Sequence, residues 1–249
     1  MKKPVMAGNW KMYKTPAETT AFFEKFRPLV ENSDHCETVI CPPFTALAAA
    51  VDAVRGSRIG IGSQNVAWAK EGAFTGEISG PMIQAVGATH AIVGHSERRQ
   101  YFGETDETVL KRTLAALEYG LTPIVCVGER LEEREGDRTK TVLVGQFQRG
   151  ISGLTPEQFA KILIAYEPVW AIGTGKTATP EMAAEAHRMI RGQVWAKYGS
   201  EAVAATRILY GGSVKPDNVK SLMAQTEIDG VLVGGASLDP VGFASIVNF

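Results

Sequence analysis

The stretch Ile162-Leu163-Ile164-Ala165-Tyr166-Glu167-Pro168-Val169-Trp170 decides how the fold reads. Its first five residues are apolar in succession, without the polar alternation of a half-exposed strand. That pattern describes a parallel strand buried on both faces. The run stops at a carboxylate and a proline, crosses a glycine-rich connection, and restarts at Thr179-Pro180. There a hydroxyl stands at the N-cap and a proline at the first helical position. The whole is one strand-plus-helix unit.

Outward from this unit the same rhythm recurs. Further strands are expected at Val5–Ala7, Thr38–Cys41, Ile59–Ile61, Ala91–Val93, Pro123–Val127, Arg207–Tyr210 and Val231–Val233. Between them lie helix starts with a physical basis. Thr15-Pro16-Ala17-Glu18 supplies a capping box, and Thr155-Pro156 and Asp239-Pro240 repeat the cap-plus-proline device. Met182, Ala186, Met189, Ile190 and Val194 form one apolar helical stripe; Leu110, Leu114 and Leu117 form another, stopped by Gly120. Eight alternations in 249 residues match an α/β protein of the (β/α)8-barrel type, with eight parallel strands surrounded by helices. An open doubly wound sheet is the competitor, but no linker or second-domain boundary accompanies the eight strands. Residues 1–249 are therefore expected to form a single barrel domain.

Composition narrows the partners. Hydrophobic residues make up 45% and charged residues 21%, and the formal charge is −1. No global field recruits nucleic acid or an anionic membrane, and no apolar stretch has the length of a signal peptide or a membrane span. Cys36, Cys41 and Cys126 are odd in number and lack metal-ligand spacing. A reducing, cytoplasmic setting is expected.

The unusual residues stand at the strand ends. Strand one runs into Asn9 and Lys11, strand four into His95, Ser96 and Glu97, and strand six into Glu167. Strand seven runs into Gly211-Gly212-Ser213 and strand eight into Gly234-Gly235. In a barrel these ends open on one face, so residues distant in sequence converge on one mouth. Alone, Lys11 reads as a solvated lysine, His95 as a structural histidine, and the glycine pairs as tight turns. Glu167 is harder to dismiss: a carboxylate set among apolar neighbours is expected to have a raised pKa and suits a general base. Bare backbone N–H groups after strands seven and eight suit a phosphate.

The segment Gly173-Thr174-Gly175-Lys176-Thr177-Ala178 imitates nucleotide-binding motifs without matching them. Trp170 stands where a Walker A loop needs its first glycine, and the segment follows its strand too late for a dinucleotide fingerprint. A long glycine-rich connection entered through a proline reads instead as a lid.

Six segments carry a resemblance along nearly the whole chain. They are Gly8-Asn9-Trp10-Lys11-Met12, Gly94-His95-Ser96-Glu97-Arg98-Arg99, Cys126-Val127-Gly128-Glu129, the run from Ala165 to Gly175, Tyr210-Gly211-Gly212-Ser213-Val214, and Val233-Gly234-Gly235-Ala236. In this order they resemble the triosephosphate isomerase family, whose fold is the TIM barrel. The resemblance implies interconversion of dihydroxyacetone phosphate and D-glyceraldehyde 3-phosphate through an enediolate, a step of glycolysis and gluconeogenesis, with no cofactor and no metal. It implies that Glu167 is the base, His95 a neutral electrophile and Lys11 the electrostatic group. Asn9 would line the substrate, with Ser96 and Glu97 in support. Gly173, Ser213, Gly234 and Gly235 would hold the phosphate, and Pro168 to Ala178 would form the lid. It further implies a homodimer in which the loop after strand three, with Phe74 and Thr75 at its tip, enters a pocket of the partner near Asn9 and Lys11, lined in part by Met12 and Phe102.

Two rivals remain at this point. Another phosphate-binding barrel enzyme, such as a Schiff-base aldolase, needs a strand-borne lysine nucleophile, and Lys176 lies in the lid segment. A noncatalytic barrel module would be expected to lack Glu167 or His95, and both are present.

Overall fold

The computed structural model describes residues 2–172 and 176–249. Eight strands, β1 (Val5–Asn9), β2 (Glu37–Cys41), β3 (Gly60–Ser63), β4 (His90–Val93), β5 (Thr122–Val127), β6 (Leu163–Tyr166), β7 (Ile208–Tyr210) and β8 (Gly230–Val233), pair in parallel in chain order. β8 returns to β1 and closes the barrel, with Gly8 opposite Val233 on one side and Ile40 on the other.

The unbroken apolar runs are explained by two cores. Val5, Ala7, Val39, Cys41, Ile92, Ile124, Cys126, Leu163, Ala165, Leu209 and Leu232 fill the barrel interior. The intervening residues, among them Met6, Ile40, Val125, Ile164 and Tyr166, pack outward against the helices. Alternate residues of each strand thus face different apolar surroundings, so neither face needs polar side chains.

The helix starts form as the sequence predicts. Thr15 and Glu18 complete the capping box of the helix Pro16–Val30, Thr155 and Gln158 do the same for Pro156–Phe159, and Thr179 and Asp239 accept the N–H groups of Met182 and Gly242. Gly120 follows the helix Asp106–Glu118 at φ 70°, the left-handed conformation that favours glycine. First and last helices are fastened to each other by aromatic rings: Phe26 of Pro16–Val30 stacks on Phe243 of Pro240–Val247 with centroids 5.4 Å apart. Trp10 packs against Phe22 and donates its indole N–H to the Ser237 carbonyl at 3.0 Å.

β3 departs from expectation. It was expected at Ile59–Ile61 and runs Gly60–Ser63. Glycine and serine read as breakers, yet Gly62 is there because of a neighbour: a Cβ on it would lie 2.7 Å from Cys41 Sγ. The crowding comes from β2, which local propensity does not register.

One buried group gives the fold a pH dependence. His187, fully buried on the helix Pro180–Ala205, hydrogen-bonds through Nδ1 to the Glu227 carbonyl at 3.0 Å. Burial pushes its pKa down to about 4, against the pull of that carbonyl. The unfolded chain binds a proton near the ordinary value of about 6.5, so the neutral form contributes stability that is complete above that pH and is lost as pH falls toward 4. Urea unfolding is expected to show about 2 kcal/mol of loss from this group between pH 7.5 and 5. A His187→Gln variant, with no proton to gain, is expected to decline less steeply by that amount.

Candidate active site

The C-terminal ends of the strands form the mouth, and its first element is a strained lysine. Lys11 lies two residues past Asn9 with φ 52°, a left-handed conformation unusual for a residue with a Cβ. Three contacts hold it. Its N–H donates to Asn9 Oδ1 at 3.0 Å, its carbonyl accepts from Gln64 Nε2 at 2.8 Å, and its ammonium group meets Glu97 Oε1 at 2.6 Å. Such a conformation costs on the order of 1–3 kcal/mol and persists only where surroundings over-determine it. The strain aims the ammonium group across the barrel mouth instead of into solvent.

β4 ends in Gly94-His95, and His95 caps the short helix Ser96–Tyr101. Its Nδ1 accepts the Glu97 N–H at 3.2 Å, which leaves the ring proton on Nε2. Nε2 lies 2.8 Å from Glu167 Oε1. That oxygen is buried without a well-aligned hydrogen-bond donor, so the contact is close but electrostatic in character. Glu167 Oε2 accepts the backbone N–H of Ser96 at 2.9 Å. The support expected from Ser96 therefore comes through its backbone.

The electrostatics correct one expectation. Burial alone pushes the Glu167 carboxyl upward, as its apolar sequence neighbours suggest, but His95, the Ser96 N–H and Lys11 outweigh it and hold its pKa below the ordinary value. At His95 burial opposes protonation and the adjacent Glu167 and Glu97 carboxylates favour it, but Nδ1 already accepts the Glu97 N–H and has no place for a second ring proton, so the imidazole stays neutral.

A cavity of about 260 Å³ opens in front of these groups, lined by Asn9, Lys11, His95, Glu167, Ser213, Gly234 and Gly235, with Tyr13, Gly211, Gly212 and Lys215. A larger cavity, about 630 Å³, shares Glu167 but lies behind it, between Arg99, Cys126 and the helix Thr139–Gly150. It lacks Lys11 and His95, so the smaller cavity is the one that gathers the chemistry. Gly173, expected among the phosphate donors, lies outside the described residues. Among the described residues no cluster of three or more His, Cys, Asp or Glu side chains could hold a metal ion.

The glycines of the mouth serve different ends. A Cβ on Gly211 would meet Glu167 Cγ at 2.9 Å, and one on Gly212 would meet the Tyr210 hydroxyl oxygen at 2.2 Å. Gly235 is different: a Cβ there meets no atom within 4 Å, so a side chain would project into open space at the cavity wall. Ser213 is set by Asn218, whose amide donates to the Ser213 carbonyl at 3.0 Å and accepts the Lys215 N–H at 2.8 Å.

Several supporting residues were not legible in advance. Gln64, the first residue of the loop after β3, holds the Lys11 carbonyl. Glu129, fully buried, accepts from the Tyr166 hydroxyl and the Trp170 indole, each at 3.0 Å, and tethers the chain as it leaves β6. Burial raises its pKa. A carboxylate after an apolar strand was the available signal, as it was for Glu167. Phe74 and Thr75 stand exposed on the loop after β3, with Phe74 edge-on to Trp68. Met12 is 93% and Phe102 66% exposed.

A buried carboxylate facing an imidazole and an ammonium group is equipped for proton transfer beside a carbonyl. Fold and site together define a (β/α)8-barrel isomerase. The sequence profile named Triosephosphate isomerase matches residues 4–249. A triosephosphate isomerase of Solibacter usitatus is 79% identical over 249 residues, covering 100% of both chains, and one of Geotalea uraniireducens is 54% identical over 100% of this chain and 99% of its own. The crystal structure of triosephosphate isomerase from Bartonella henselae superimposes with a TM-score of 0.90 at 39% identity, covering 99% of this chain and 98% of that one. The chain belongs to the triosephosphate isomerase family.

The cradle around Gly235 generates a prediction. Gly235→Val is expected to leave the melting temperature within a few degrees of wild type while raising KM for triose phosphate at least about tenfold more than Ser213→Ala does, since a tenfold change corresponds to about 1.4 kcal/mol. Steady-state kinetics beside thermal melts check both halves.

Proposed function

We propose that the cavity bounded by Glu167, His95 and Lys11 is where the chain's chemistry takes place. The reaction is the interconversion of dihydroxyacetone phosphate and D-glyceraldehyde 3-phosphate, an intramolecular aldose–ketose isomerisation. It requires a proton to leave the carbon beside a carbonyl and return to the neighbouring carbon, with an enediolate between. Glu167 is the base for both transfers. Its buried carboxylate, 2.8 Å from His95 Nε2 on the cavity that Lys11 also lines, is the observation that carries this reading.

His95 presents Nε2–H to the substrate oxygens, and Lys11 supplies fixed positive charge where the enediolate forms. Glu167 must leave the Ser96 N–H to reach carbon. His95 stays neutral throughout, because its Nδ1 is occupied by the Glu97 N–H. Backbone N–H groups at Ser213, Gly234 and Gly235, with Gly173, take the phosphate, and 168–178 serves as the lid that excludes water.

A coupled assay of glyceraldehyde 3-phosphate conversion tests the assignment. Wild type turns over without added metal, and Glu167→Gln loses about 10²–10⁴-fold in kcat, the usual contribution of a positioned base. Turnover unaffected by that substitution would remove Glu167 from the role.

The working form is a homodimer in this reading. Exposed Phe74 and Thr75 on one chain and exposed Met12 and Phe102 on another are complementary in character, and aromatic anchors dominate interface energetics. The location is cytoplasmic, a reading supported by three free, buried cysteines; among the described residues no helix is long and apolar enough to cross a membrane.

Two outcomes follow. Nitrogen NMR across pH 5 to 8 is expected to find His95 an uncharged imidazole, since a second ring proton would face the Glu97 N–H; an ordinary titration near about 6.5 would contradict this. Replacing 69–78 with a tight turn is expected to yield a monomer by ultracentrifugation with severely reduced activity.

A further inference from the structure

Gln146 sits half-buried on the helix Thr139–Gly150 and directs its whole carboxamide at the backbone of one residue, bridging the two peptide units that meet there. Its Oε1 accepts the Gly128 N–H at 2.7 Å, and its Nε2 donates to the Gly128 carbonyl at 3.1 Å. Gly128 is the first residue beyond β5, where the strand ladder ends and both backbone groups would otherwise need new partners. The carboxamide completes them as a further strand would.

The other side of Gly128 bears on the catalytic base. A Cβ built there would lie 1.7 Å from the carbonyl oxygen of Glu167 and 2.6 Å from its carbonyl carbon. Glu167 N–H donates to the Val127 carbonyl at 2.7 Å, and Val169 N–H to the Glu129 carbonyl at 3.0 Å. The backbone carrying the base is therefore registered along Val127 to Glu129, with Gly128 as the middle of that seat. Gly128, Gln146 and Glu167 also share the wall of the larger cavity, so no packed side chain on that side substitutes for the clamp.

We infer that Gln146 is a positioning residue for Glu167: it fixes the Gly128 peptide and so the surface on which the base's backbone rests. The inference rests on Glu167 being the base. Displacement of a reacting group by about 1 Å can lower the rate by about 10²-fold. A clasp with a merely structural role would lower stability and leave turnover of the folded molecules alone.

Gln146→Leu and Gln146→Glu separate the two cases. In Gln146→Leu, kcat is expected to fall at least about tenfold, with KM and the inhibition constant of inorganic phosphate within about threefold of wild type, because the phosphate cradle lies on other strands. In Gln146→Glu, the ionised carboxylate still accepts the Gly128 N–H but repels its carbonyl, whereas the protonated acid offers both acceptor and donor, as the amide does. The ratio of its kcat to that of wild type is therefore expected to rise as pH falls from 8 toward 5. If Gln146→Leu does not fold, this ratio decides alone. A kcat within twofold of wild type in the folded variants, or a ratio independent of pH, overturns the inference. A wild-type protein without isomerase activity would instead overturn the function on which it rests.

Discussion

The structure depends on how tightly the backbone at Glu167 is enclosed. On one side Gly128 leaves no room for a Cβ, and on the other Gly211 has a Cβ position 2.9 Å from Glu167 Cγ. The flanking strands hold the same segment by hydrogen bonds, from Glu167 N–H to Val127 and from Gly211 N–H to the Tyr166 carbonyl, each 2.7 Å long. Closed-barrel geometry is what brings β5, β6 and β7 together at this depth. A carboxylate on so fixed a backbone has only its own side-chain torsions to use, and proton transfer is sensitive to errors of that size.

The electrostatics follow from this enclosure. The Glu167 carboxylate is 2% exposed, yet its pKa is lowered, because His95 and the Ser96 N–H face it from the end of β4. Nδ1 of His95 accepts a backbone N–H, which fixes the tautomer and points the Nε2 proton into the mouth. Lys11 is held in a left-handed conformation so that its ammonium group joins the same space. The proposed base, electrophile and counter-charge thus come from three strand ends, with Lys11 Nζ on the Glu97 carboxylate, His95 Nε2 beside Glu167 and Glu167 on the Ser96 N–H.

Much of this was legible in the sequence because it is written locally. Unbroken apolar runs marked the strands, Thr-Pro pairs marked the helix starts, and polar residues at the strand ends marked the mouth. What escaped is tertiary. β3 is carried by Gly60 and Gly62, crowded by the side chains of Thr89 and His90 at the first and of Cys41 and His90 at the second. The lowered pKa of Glu167 arises from His95 and Ser96 beyond the end of β4 and from Lys11 after β1, whereas its sequence neighbours argue the reverse. Gln64, Glu129 and Gln146 each hold a site residue from a different element, and a lone amide or acid in sequence carries no indication of which peptide it will hold.

The central claim is that Glu167 moves from a parked position on the Ser96 N–H to the reacting carbon while its backbone stays fixed. A crystal structure with a phosphorylated hydroxamate or carboxylate that imitates the enediolate measures this most directly. The account predicts the carboxylate off the Ser96 N–H and against the ligand atom that replaces the reacting carbon, His95 Nε2 and Lys11 Nζ within hydrogen-bonding reach of the ligand oxygens, and the Gly128 contact unchanged. A ligand bound in the cavity with Glu167 still on Ser96, or with its backbone drawn away from Gly128, would contradict it.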